Sequence, residues 1–260
     1  MSPASLPVLP LEYNETSFPP PDLWSDEPPM ESSIHVAQMM LLILCLERRW
    51  RDRHDFFVTG NLTIYFNPQQ LKSVDFRGPD FFVVLGTVRK ERRSWTVWHE
   101  GGKYPNVIVE ILSSSTSKID RGLKKKIYQD TFKTPEYFLF DPETLSLEGF
   151  HLVGLSYVSI SPGQHGWLWC GQLGLFFGVQ GGRLRMFEPD GTLVLTSLEA
   201  EDREHARADA EAKRAKAEAK RAKAEAKRAK AEAKRADAAA LRADHLAARL
   251  RALGIDPDSR

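Results

Sequence analysis

Six consecutive residues, Val107-Ile108-Val109-Glu110-Ile111-Leu112, put the tightest constraint on what this chain can become. A strand that is apolar at both odd and even positions has no face to offer to water, so it belongs in a sheet covered on both sides. That requirement points to helices packed on a central sheet. The same run carries a glutamate in its interior. A carboxylate in that setting is costly unless it is paired, protonated or bound to a metal. Glu110 is therefore either half of a buried ion pair with a Lys or Arg, or the centre of a site.

A second acid sits at the mouth of another apolar run. Gly78-Pro79-Asp80 leads directly into Phe81-Phe82-Val83-Val84-Leu85. Alone, Asp80 reads as a turn residue before a strand. If the two strands are neighbours, Asp80 and Glu110 face one cleft and can hold a hard divalent cation such as Mg²⁺ or Mn²⁺. A water on that ion could become the hydroxide that attacks a phosphodiester. Lys124 follows on the next helix, and Asp120, Lys124 and Tyr128 share one face by their spacing of four. Lys124 is either a plain helix-surface partner of Asp120 or an amine that reaches back to the two acids and offsets charge on a phosphate.

Around these residues the chain divides into three parts. Residues 1–30 hold eight of the sixteen prolines and read as an extended arm. Residues 31–196 read as the folded domain. A helix is expected over 31–51, capped by Ser32 or Ser33, with Ile34, Met39, Leu42, Leu46 and Trp50 at helical spacing. Strand-like runs follow, with a bend at Gly60-Asn61, and a polar, basic excursion covers 86–104. A helix is expected over 117–132, opened by Ser117-Lys118-Ile119-Asp120 as a capping box and stopped by Thr134-Pro135. Short strands between Gly, Pro and Asp turns then make a β-rich extension.

Residues 197–260 change character. Glu-Ala-Lys-Arg-Ala-Lys-Ala begins at 211, 218 and 225 and recurs in altered form at 232. The period of seven puts alanine at the a and d positions of a heptad. Alanine is the strongest helix former, so a long helix is expected. It stands solvated, self-associates through its thin seam as a homodimer, or binds nucleic acid by its basic face, which glutamate interrupts in every repeat. Residues 201–260 carry 17 Lys and Arg against 12 Asp and Glu, while residues 1–200 hold 19 against 23. A mildly acidic body with a basic tail does not read as a protein built only to coat nucleic acid.

Other classes are excluded more simply. Two cysteines, Cys45 and Cys170, make neither a disulfide framework nor a four-thiolate zinc site, and fit a reducing, cytoplasmic setting. The longest apolar run, Met39 to Leu46, is too short to span a bilayer, and no secretory leader is visible, so no membrane partner is expected. No phosphate-cradling Gly-Lys-Ser/Thr motif and no Cys-x-x-Cys is present. Trp95, Trp98, Trp167 and Trp169 could stack on bases or pack the sheets, and Arg89-Lys90-Glu91-Arg92-Arg93 could touch a phosphate backbone or be merely solvated.

The ordered set Pro79-Asp80, Val109-Glu110-Ile111-Leu112-Ser113, Asp120…Lys124…Tyr128, and Pro135-Glu136-Tyr137-Phe138…Asp141-Pro142 resembles the Uma-two family. These are restriction-endonuclease-like proteins of the PD-(D/E)xK superfamily, especially abundant in cyanobacteria. The resemblance covers about residues 30–190. It implies an α/β (α+β) fold, a mixed central sheet flanked by helices, with the long C-terminal helix appended. It implies Asp80 and Glu110 as metal ligands, and Glu31 as a further acid on the first helix. It implies Mg²⁺ or Mn²⁺ as cofactor and DNA as substrate. The superfamily's lysine stands two residues after the acid; that position is Leu112 here. The family carries its lysine on the following helix, where Lys124 matches. Two functions stay open at this point: a metal-dependent endonuclease, and a non-catalytic module of the same fold that assembles through its tail. A two-carboxylate glycosidase is a more distant third.

Overall fold

The structure is a computed structural model that describes residues 23, 25, 32–67, 76–113 and 117–254. The proline-rich arm, apart from Leu23 and Ser25, and Glu31 lie outside the described residues. The chain forms two compact units, Met1–Ser197 and Leu198–Arg260.

In the first unit, α1 (Ser33–Arg49) starts where the Ser32 side chain accepts the His35 backbone N–H at 3.3 Å, and it buries Leu42, Cys45 and Leu46. Ile34, which helical spacing puts with the apolar set, faces outward instead. The central sheet has six strands in the order β1 (Phe56–Thr59), β4 (Phe81–Leu85), β6 (Val107–Ile111), β7 (Glu136–Phe140), β8 (Leu147–Val153), β9 (Ser156–Ser159). Only β6 and β7 run parallel, and every other neighbouring pair is antiparallel. The expected mixed sheet is therefore present. Two smaller sheets complete the unit. One joins β2 (Ile64–Tyr65), β3 (Phe76–Arg77) and β5 (Trp95–Thr96), and the other joins β10 (Leu168–Cys170), β11 (Leu175–Gln180) and β12 (Arg183–Phe187).

Strand alternation explains why the central sheet is apolar throughout. Val107, Val109 and Ile111 of β6 join Leu42, Cys45 and Leu46 of α1 and the inner face of the β10–β12 sheet in one core. Ile108 and Leu112 join Tyr128, Tyr137 and Trp95 in a second core. Gln38 ties α1 to β12 by a two-way pair of bonds with the Leu184 backbone, at 2.9 and 3.0 Å.

The parallel crossover from β6 to β7 runs through α2 (Ser117–Ile119), a wide π-helical turn over Asp120–Lys124, and α3 (Lys125–Asp130). The capping box expected at Ser117 does not form. The Ser117 N–H donates to the Ser113 carbonyl, and the Asp120 carboxylate turns to Lys124. In the second unit, α4 (Ser197–Ala252) is one continuous 56-residue helix with no buried residue. Among the described residues, no helix is long and apolar enough to cross a membrane.

Candidate active site at the end of β6

Register brings the two acids together. Phe82 pairs with Ile108 and Phe81 with Val109 across the antiparallel β4–β6 ladder. One step further along that ladder, Asp80 lies opposite Glu110. Directly opposed residues of an antiparallel pair share a face. Glu110 lies between Ile108 and Leu112 on the face that packs against Tyr128, so both acids point to the crossover helix. The Asp80 carboxylate accepts the Ile111 N–H at 2.7 Å, and the Asp80 N–H donates to Glu110 Oε2 at 3.3 Å.

Two neighbours hold the Asp80 turn in place. The Asn61 N–H donates to the Pro79 carbonyl at 2.9 Å, with Asn61 itself at positive φ. Gly60 lies so close that a Cβ there would stand 2.1 Å from the Asp80 carbonyl oxygen, so no other residue fits this bend. From the opposite face of the sheet, the buried His35 ring contacts the Ile111 carbonyl through Nε2. A carbonyl only accepts, so that nitrogen carries the proton.

Lys124 reaches this pair from the wide turn. Its Nζ lies 3.1 Å from Glu110 Oε2 and 2.9 Å from Asp120 Oδ1. The turn's extra width is visible in the backbone, where the Lys125 N–H bonds five residues back to the Asp120 carbonyl. The Tyr137 hydroxyl donates to that same carbonyl at 2.9 Å. Tyr128, four residues after Lys124, donates its hydroxyl to Glu110 Oε1 at 2.7 Å. Wide turns of this kind recur at functional sites.

Three carboxylates thus surround one ammonium. Glu110 and Asp120 are fully buried, and Asp80 is half-buried at the opening. Burial pushes Glu110 up to about 8 against the pull of Lys124, with Asp80 and Asp120 adding to the rise. Burial likewise pushes Asp80 up to about 6, opposed by Lys124 and by the Ile111 N–H. Burial pulls Lys124 down, but Glu110, Asp120 and Asp80 together outweigh it and hold the amine above the ordinary lysine range. Burial and the adjacent Glu110 keep the Tyr128 hydroxyl protonated, so it stays a donor.

The structure therefore gathers Asp80, Glu110 and Lys124 at one point. Asp120 and Tyr128 belong to the same cluster. Their shared face with Lys124 was legible in the spacing, but not that Tyr128 would turn to Glu110 and Asp120 to the same ammonium as Glu110. His35, read as a packed or solvated residue, is buried behind β6. Among the described residues, no three His, Cys, Asp or Glu side chains converge on a point able to hold a metal; the acids converge on the lysine. The donor set still suits Mg²⁺, which takes one or two carboxylates and fills its shell with water and substrate phosphate. Its charge suits the site as well, since two of the three carboxylates lack an ammonium of their own.

The basic excursion is absorbed by the fold. Arg92 makes paired bonds of 2.7 and 2.9 Å to Glu100 and lies over the rings of Phe57 and Trp95, while Arg89 pairs with Glu47. Of the tryptophans, Trp95 is buried and Trp167 stacks on Phe187 at 3.8 Å, whereas Trp169 keeps an exposed edge.

A mixed sheet with an acid pair opposed across β4 and β6, and a lysine supplied by the crossover helix, defines an α/β protein with an acidic cleft. The chain belongs to the Uma2 family, whose model matches residues 22–186 and whose description is "Putative restriction endonuclease". Among solved structures, the chain is similar to a protein from Anabaena variabilis described as a "putative nuclease belonging to DUF820". The two are 14% identical with a TM-score of 0.41, over 56% of this chain and 76% of the other. No curated protein gives a significant match.

Proposed function

We propose that this chain is a divalent-metal-dependent endonuclease that hydrolyses phosphodiester bonds of DNA. The observation that carries the reading is the β4–β6 register, which opposes Asp80 to Glu110 and leaves the pair short of positive charge beside Lys124. Asp80 and Glu110 would hold Mg²⁺ or Mn²⁺. The ion would supply Lewis acidity and a coordinated water of lowered pKa. The family description supports a nuclease, and a hard-oxygen site supports phosphoryl chemistry over thiol or redox chemistry.

Each side chain then has a defined task. Lys124 keeps its proton at neutral pH, so it acts as a charge facing the scissile phosphate rather than as a general base. Asp120 holds that ammonium at the edge of the cleft. Tyr128 fixes one oxygen of Glu110 and so orients the other toward Asp80 and Lys124. Leu112 is buried in the second core, so Lys124 is the amine that stands in for the superfamily's usual lysine.

The test is cleavage of supercoiled plasmid DNA with Mg²⁺, with Mn²⁺, and with a chelator. Cleavage should require the metal and fall by about 10²-fold or more in Asp80→Asn and Glu110→Gln. It should persist in Lys125→Ala, because Lys125 lies over the Phe150 ring, 3.3 Å from its centroid. Equal cleavage by wild type and Asp80→Asn overturns the proposal. Absence of any cleavage under these conditions favours the non-catalytic reading.

A further inference from the structure

We propose that α4 forms a parallel, in-register two-stranded coiled coil with a second copy of this chain. The inference is independent of the catalytic reading.

The helix runs for 56 residues, about 84 Å at 1.5 Å per residue, and buries nothing along that length. A helix that is polar nearly all round needs either many pairs along its own surface or a partner. Its charges show which. With Ala212 at a and Ala215 at d, the g positions are Glu211, Glu218, Glu225 and Glu232. The e positions are Lys216, Lys223 and Lys230.

The glutamates have arginines at c on their own helix, such as Arg214 three residues after Glu211. The e lysines have no such relief. The neighbours of Lys216 at three and four residues are Ala212, Lys213, Ala219 and Lys220, and the pattern repeats for Lys223 and Lys230. Their complement lies across a seam. In a parallel pair, each g residue faces the e residue five positions on in the partner, and across the three full repeats these pairs are Glu211 with Lys216, Glu218 with Lys223 and Glu225 with Lys230, while Glu232 meets Asp237 where the repeat changes. In an antiparallel pair, g faces g and e faces e, and every contact is between like charges. The pattern therefore favours one orientation and penalises the other.

Alanine makes a narrow seam that buries little area per layer, so charge sets orientation while the helix end adds grip. A three-residue step from Ala236 to Ala239 passes the stripe to Ala243, Leu246, Leu250 and Leu253. Leu246 and Leu253 are 63% and 74% exposed in the single chain, at the positions a partner would cover.

The test uses the full chain, freed of nucleic acid. Light scattering across a concentration series should give twice the 29.4 kDa of one chain. The Glu211→Lys, Glu218→Lys, Glu225→Lys, Glu232→Lys variant should return to single-chain mass while circular dichroism shows the helix retained. Mixing it with the Lys216→Glu, Lys223→Glu, Lys230→Glu variant should restore the doubled mass. For orientation, Ala212→Cys and Ala233→Cys are oxidised singly and together, against a wild type whose Cys45 and Cys170 are buried. Each should link to itself and not to the other. Single-chain mass at all concentrations, a doubled mass unaffected by the charge reversals, preferential 212–233 links, or association only when DNA is added would each overturn the proposal.

Discussion

Replacing Lys124 with methionine keeps most of the side chain and removes the one ammonium that, among the described residues, contacts Glu110 and Asp120. Both acids are buried, with 0% and 1% of their surfaces exposed, so water cannot take over the lost interaction. Breaking a buried ion pair on one side costs about 3–5 kcal/mol, chiefly because the remaining charge is stranded. For a folded unit of this size, that corresponds to a fall of roughly 6–20 °C in Tm. The loss should depend on pH. The folded values of Asp80 and Glu110, about 6 and about 8, lie above their unfolded values near 4. The native state thus holds more protons than the unfolded chain over that window. Stability from these two groups is complete below about pH 4 and is lost as pH rises through 6 and then 8. Without Lys124 both values climb further, so the deficit of the variant widens with pH. At pH 5 Asp80 and Glu110 are already protonated in the native state, so their share of the deficit should vanish and leave chiefly the lost contact between Lys124 and Asp120. All six tryptophans precede residue 170, so indole fluorescence reports the first unit without interference from α4. Melts followed this way at pH 5 and pH 8, in chelator, decide the matter. Equal deficits at the two pH values would refute the reasoning.

Three further outcomes follow from the same geometry. Tyr128→Phe removes the hydroxyl that holds Glu110 down; the rising limb of a pH–cleavage profile should move to higher pH, and an unmoved limb would exclude coupling between the two groups. Gly60→Ala forces a Cβ to within 2.1 Å of the Asp80 carbonyl oxygen; urea unfolding should show a loss of about 1–3 kcal/mol, and cleavage should fall with it. His35→Ala leaves the Ile111 carbonyl without its ring donor; about 1–3 kcal/mol should be lost in urea unfolding, with His35→Gln recovering part of it. Wild-type stability in the alanine variant would show that the ring is dispensable behind β6.

Some of this could be read from residues alone, because it depends on local chemistry. The apolar run around Glu110 demanded a sheet covered on both sides, whatever the neighbouring strands were. The alanine heptads demanded a long helix, since propensity and period act within one segment. Glu110 could be singled out because an acid in a strand interior is costly without a purpose, and Asp80 and Lys124 were tied to it by the ordered set of residues that resembles the family. Ser117-Lys118-Ile119-Asp120 shows the limit of such reading. As a string it matches a capping box, but the Asp120 carboxylate finds a buried ammonium four residues on, and a charge-assisted contact in low dielectric outcompetes a bond at a helix end. Arg92 shows the same limit, since a surface cation in the string becomes a buried clamp on Glu100 once Phe57 and Trp95 stack around it. Which acids meet was likewise a matter of tertiary register. Residues thirty apart become neighbours only when β4 pairs with β6 at Phe81–Val109, and a slip of one residue would send Asp80 and Glu110 to opposite faces. Segmental preferences are carried by the order of amino acids, whereas the burial that makes these carboxylates consequential exists only after distant strands have paired and covered them.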